Sequence, residues 1–146
     1  MRPLLFTLGS LAIVAYAGVG AALMNSWAVT AASGFPLDRT IIDMAAAGEP
    51  YSAVPGYFYF GFGVLLAVVW GTVSLNRNFS ISGPATLSLW AWTLTVGAPA
   101  YFMFSTWNLM SIGDTYYDWN SDAAGSLSVP LYVVSGVAFV IAVVSS

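Results

Sequence analysis

Four stretches of this chain, residues 4–24, 57–75, 85–112 and 129–144, contain no Asp, Glu, Lys, Arg or His. A helix needs ~20 predominantly apolar residues to cross a hydrocarbon core of ~30 Å. In lipid a backbone must satisfy its own N–H and C=O groups, which restricts spanning segments to helices and closed barrels. The four runs therefore predict an all-α integral membrane protein, a four-helix transmembrane bundle forming one domain over residues 1–146. Composition agrees: 59% of the residues are hydrophobic and 6% charged, where a soluble domain carries about 25% charged residues. Arg2 ahead of an apolar run with Ala15 and Ala17 also resembles a signal peptide, but the run is long for one and is read as the first span.

The residue types present narrow the chemistry. With three arginines and lysines against six acids, a net charge of −3, the chain has no basic patch for phosphate backbones, and nucleic acid is not an expected partner. Neither cysteine nor histidine occurs, so disulfides, thiolate sites and imidazole-held haem, copper or zinc are excluded. Proton-coupled transport needs an ionisable group near the midplane, and no run supplies one. Serine has no histidine or lysine to act as its base. An enzyme is not expected, and no cofactor beyond lipid and a weakly held calcium ion.

Arg2 and Arg77 fall on one side of the four-span arrangement and Arg39 on the other. The positive-inside rule then puts both termini in the cytoplasm and both long loops, with all six acids, outside. Trp70, Trp90 and Trp92 are expected as anchors at the inner interface, and Trp27, Tyr57, Tyr59, Trp107 and Trp119 at the outer one. The Asn78-Phe79-Ser80 sequon falls on the cytoplasmic side and reads as chance.

The first outer loop, residues 25–56, contains PLDRTIIDMAAAGEP. Asp38 can cap a short helix there, Arg39 and Asp43 stand at i,i+4, and Gly48 and Pro50 stop it. Arg39, Ile41, Ile42 and Asp43 are candidate partner contacts, with a lid on the chain's own bundle as the commoner outcome. The second outer loop, GDTYYDWNSDAAG, holds Asp114, Asp118, Asn120 and Asp122. Asp118, Asn120 and Asp122 alternate as in a calcium loop, but Ala123 stands where that pattern needs glycine and Val129 where it needs glutamate. This is a weak calcium site set against a plain solvated turn.

The third run is the most polar, and Pro99 is its expected kink. Gly97, Tyr101, Ser105 and Asn108 fall at spacings that share one helix face. A polar stripe in hydrocarbon must face protein or water, so it either lines a route for a neutral solute or bonds the helices together. Small residues, including Ala17 with Ala21, Gly18 with Ala22, and Gly56, Gly61 and Gly63, suit close helix approach. The residues thus point to a non-catalytic structural or accessory subunit of a larger membrane assembly, partnered by lipids and by other transmembrane subunits or copies of itself. The alternatives are an oligomeric channel or facilitator for a small neutral solute, and an extracytoplasmic calcium-dependent binding module.

Overall fold

A computed structural model describes the backbone of residues 2–76 and 82–146, and side chains within those ranges from Phe6 onward. Arg77 and the Asn78-Phe79-Ser80 sequon lie outside the described residues. All regular structure among the described residues is helical. The elements are α1 (Arg2–Ala22), a π turn (Leu23–Trp27), α2 (Ala28–Ser33), α3 (Leu37–Ala47), α4 (Val54–Leu75), α5 (Gly83–Thr95), α6 (Gly97–Thr115) and α7 (Ser121–Val144). Three helical stretches, Phe6–Ser33, Val54–Leu75 and Ser121–Val144, are long and apolar enough to cross a membrane.

The first helix does not end at Met24, where the apolar run stops. It widens into the π turn, where Ala28 N–H reaches back five residues to Leu23 O, and continues to Ser33. Gly34 then takes a left-handed φ of 73° and ends it. The third run is two helices, parted at Val96. Proline has no N–H to give, and its ring collides with the carbonyl four residues back, so Pro99 disturbs the chain at Thr95, where α5 ends. The helix of the fourth run starts early, at Ser121, because Asn120 caps it through a bond from Ala123 N to Oδ1 at 2.9 Å.

In the first loop α3 forms two residues earlier than Asp38 as its cap would start it. Pro36 is the cap residue, its carbonyl accepting Thr40 N, and Asp38 sits in the first turn, where its charge still favours the helix dipole. The stop is as expected: Gly48 has φ 81°, and Glu49 N bonds Met44 O at 2.9 Å.

α1 packs along α4, α5 along α7, and α2 against α6 and α7. Three buried clusters follow one another through the bundle. Ile13, Ala67, Trp70, Ala91 and Leu94 belong to the first, Ala17, Leu23, Tyr59, Tyr101 and Leu131 to the second, and Val29, Ala32, Met44, Ile112 and Ala124 to the third. The polarity of the packing is inverted relative to a water-soluble fold. Ser88, Ser105, Asn108, Ser111, Ser128 and Ser135 are buried, while Phe58, Leu65, Phe102, Met103, Val133 and Val140 are exposed. Water would reverse that arrangement, and lipid favours it.

The aromatic side chains divide in a way the expected belts do not. Trp27, Tyr57, Trp92 and Trp107 are exposed, whereas Tyr59 and Trp70 are core residues. Trp70 Nε1 donates to Thr86 O at 3.2 Å and Trp90 Nε1 to Gly9 O at 3.1 Å. These indoles bind helix to helix, because an indole inside the bundle can spend its N–H only on a neighbouring carbonyl.

Candidate functional site

The polar groups of the bundle gather where its helices are irregular. A π turn carries one residue more than an α turn and disturbs the register of its carbonyls. Here side chains supply donors to those carbonyls, two of them from distant segments and one from the turn itself. Asn108 Nδ2 donates to Met24 O at 3.1 Å, Tyr51 OH to Asn25 O at 2.6 Å, and Ser26 Oγ to Ala22 O at 3.0 Å. Asn108 also takes both main-chain groups of Ser52, accepting from its N at 3.0 Å and donating to its O at 2.9 Å. Ser52 Oγ in turn accepts Val54 N as α4 begins. One amide on α6 therefore holds the bulged turn and the entry to α4 together. Asn25 Oδ1, buried beside Gly56, has no hydrogen-bond partner among the described residues.

A second polar cluster surrounds the break between α5 and α6. Ser135 Oγ donates to Leu94 O at 2.7 Å and pairs with Tyr16 OH at 2.8 Å, and Tyr59 OH donates to Gly97 O at 3.1 Å. A broken helix needs neighbours to satisfy its backbone groups, and here Ser135 of α7 and Tyr59 of α4 bond carbonyls on either side of the break, with Tyr16 of α1 bonded to Ser135. Gly97 has no side chain because the Tyr16 ring occupies the place a Cβ would take. Tyr101 stacks edgewise on Tyr59 and Tyr132, with ring centroids 6.4 and 6.1 Å away. A cavity of about 30 Å³ beside Tyr16, Tyr59 and Gly97 is on the scale of a water molecule.

The expected stripe is thus one inward face. Tyr101, Ser105 and Asn108 are buried and Gly97 is half-buried. Its members do unequal work: Ser105 Oγ bonds Phe102 O at 3.3 Å and pairs with Tyr101, both of its own helix, while Asn108 bridges three segments.

α3 closes one end of the bundle. Thr40 and Met44 are fully buried, and Met44 packs with Val29, Ile112 and Ala124. Among the candidate contacts, Ile41 is half-buried, while Arg39 and Ile42 face outward. Asp43 receives Tyr116 OH at 2.9 Å and Arg39 Nε at 3.3 Å on the same oxygen. Arg39 also lies 5.1 Å from the centre of the Phe35 ring, which meets Tyr116 at 5.7 Å.

Loss of solvent around Tyr116, its bond to Asp43 and the carboxylate's charge push the phenol pKa up, against a smaller opposing effect of Arg39 and Thr40. The fold thereby favours the neutral phenol. Its contribution to stability is complete below the ordinary tyrosine value near 10 and is lost as pH rises through the elevated folded value. In thermal unfolding followed by intrinsic fluorescence, Tyr116→Phe should be less stable than wild type up to about pH 10, and the gap should close above it.

The acidic loop does not form a cage. Asp114 is exposed in the last turn of α6 and Asp118 in the connecting turn, while Asp122 lies in the first turn of α7. The side-chain oxygen of Asn120 is committed to Ala123 N, and its own N–H to Ala32 O at 2.8 Å. Among the described residues no group of three or more His, Cys, Asp or Glu side chains is placed to hold a metal ion.

Tyr16, Tyr51, Ser52, Tyr116 and Ser135 carry much of this hydrogen bonding without any local signal in the sequence, since their partners, backbone and side-chain groups alike, lie in segments distant along the chain. No protein family, curated protein or solved structure matches the chain.

Proposed function

We propose that the chain crosses the bilayer four times as a four-helix bundle, with α5 and α6 together forming the broken third span. Residues 2 and 146 then lie on the cytoplasmic side and α3 outside. The protein serves as a non-catalytic structural or accessory subunit of a larger membrane assembly. The four-span arrangement is supported by contacts at the end opposite α3. There Trp90 bonds Gly9, Trp70 bonds Thr86, and Ser88 bonds both Ala142 and Ser146. The α1 start, the α4 end, the α5 start and the α7 end are thus neighbours.

The observation that carries the functional reading is where the polar chemistry is spent. Asn108, Ser135, Tyr16 and Tyr59 are engaged by the chain's own carbonyls and hydroxyls, and no charge stands among them. What remains available is an apolar exterior, which suits contact with lipid and with other helices.

Two measurements test this. The chain lacks cysteine, so single thiols report topology cleanly. Ala46→Cys and Tyr117→Cys should react with an impermeant maleimide from one side of the membrane, and Ser146→Cys from the other. Labelling of Ala46→Cys and Tyr117→Cys from opposite faces would remove the third crossing. After extraction in a mild detergent, native mass measurement should give a complex of fixed stoichiometry containing other chains or copies. A monodisperse single copy would reject the subunit reading.

A further inference from the structure

We propose that the outward face of α6 binds one zwitterionic phospholipid with a primary ammonium headgroup, of the ethanolamine type. Its phosphate would sit on the Trp119 indole N–H and its ammonium on the Asp114 carboxylate. This rests on the reading that α6 lies in the bilayer. Thr106, Leu109, Met110 and Gly113 follow one another at helical spacing along a groove of about 550 Å³ that Asp114 and Trp119 complete. The lower wall is apolar and open, with Met110 66% exposed, as an acyl chain requires. The groove's polar end lies where α6 stops at Thr115, the level at which a headgroup would sit.

The two polar groups at that end are both unspent. Trp70 and Trp90 give their indole N–H to carbonyls. Trp119 lies over Gly113, where a Cβ would stand 3.3 Å from the ring, and its N–H has no partner among the described residues. Asp114 makes no ion pair or hydrogen bond among them either. One unpaired donor and one unpaired carboxylate, both lining one end of an apolar groove, match a phosphate and an ammonium joined by a short linker.

Charge selects among lipids. Asp118 follows in the connection and Asp122 in the first turn of α7, and Arg39, the cation of α3, is engaged with Asp43. An anionic headgroup would therefore meet uncompensated carboxylates. A quaternary choline has no N–H to give a carboxylate and is recognised best by several rings around it. This groove offers one ring, which leaves the primary ammonium as the best fit.

The test uses the full-length protein in vesicles of equal parts phosphatidylethanolamine, phosphatidylcholine and phosphatidylglycerol with matched acyl chains. Lipid retained after mild extraction is read by native mass spectrometry. Wild type should keep one phosphatidylethanolamine per chain, preferred roughly fivefold over each competitor, as expected for a single exposed ion pair near the upper end of its range. Asp114→Asn, at an exposed position, should abolish that preference. Trp119→Phe, which keeps a ring over Gly113 and removes the N–H, should lower retention while sparing the preference. Equal retention of the three lipids by wild type, retention of none, or an unchanged preference in Asp114→Asn would overturn the proposal. If α6 were outside the bilayer, the Ala46→Cys and Tyr117→Cys labelling would show it independently of lipid choice.

Discussion

Asn108→Leu is expected to lower the stability of the bundle by about 2–4 kcal/mol, because it strands three backbone groups while leaving the helix that carried the amide intact. Ser52 N, Ser52 O and Met24 O all depend on this side chain. The usual figure for a polar contact between membrane helices is only about 0.6 kcal/mol, since the separated helices find other partners. Asn108 exceeds it because its partners are main-chain atoms of a π turn and a helix entry, which cannot rotate toward new donors. Asn108→Asp should be no rescue. It keeps an acceptor for Ser52 N, but it turns a carboxylate toward two carbonyl oxygens. Ser105→Ala is the contrast, with a loss below about 0.5 kcal/mol, since that hydroxyl bonds within its own helix, to Phe102 O and Tyr101. SDS titration followed by tryptophan fluorescence would separate the two. Equal losses at the two positions would show that the stripe acts as a diffuse polar face instead of through one latch.

That latch was partly legible in the sequence. Helical spacing alone brings Gly97, Tyr101, Ser105 and Asn108 to one face, and the cost of polar groups in lipid turns that face inward. The divided third segment was legible too, because the disturbance a proline causes is local and falls at a known offset. Gly48 as a helix stop belongs to the same class of short-range signal. The π turn is different. Asn25, Ser26 and Trp27 read as the end of an apolar run, and the helix passes through them only because donors arrive from Asn108 and Tyr51, far along the chain. Hydropathy also misplaced the start of the last helix. The residues before Val129 are small and polar, yet Asn120 caps the helix and Ala124 packs under α3 beside Met44. In the acidic loop two local patterns competed for one asparagine, a calcium-like alternation and a helix cap. The cap is the one that is formed.

Glycines show most sharply how far composition can mislead about packing. Gly61 and Gly63 both precede the middle of α4, and by sequence they are equivalent small residues. A Cβ at Gly61 would meet nothing within 4 Å, whereas one at Gly63 would collide with the Cβ of Ala17 on α1. Alanine has no rotamer with which to withdraw, and Ala17 is only 3% exposed, so the backbones of α1 and α4 must separate to admit the methyl group. Overpacking of a closed core costs about 1–3 kcal/mol, and Gly63→Ala is expected near the upper end. At Gly20 and Gly97 the colliding groups are the Tyr59 and Tyr16 rings, which can tilt, so alanine there should cost less. Gly61→Ala should be neutral or slightly stabilising, because alanine is the better helix former by ~1 kcal/mol. The readout is the SDS concentration at half-unfolding, supported by disulfide trapping between cysteines placed on α1 and α4. A Gly63→Ala variant as stable as Gly61→Ala would mean that α1 and α4 do not meet at Ala17.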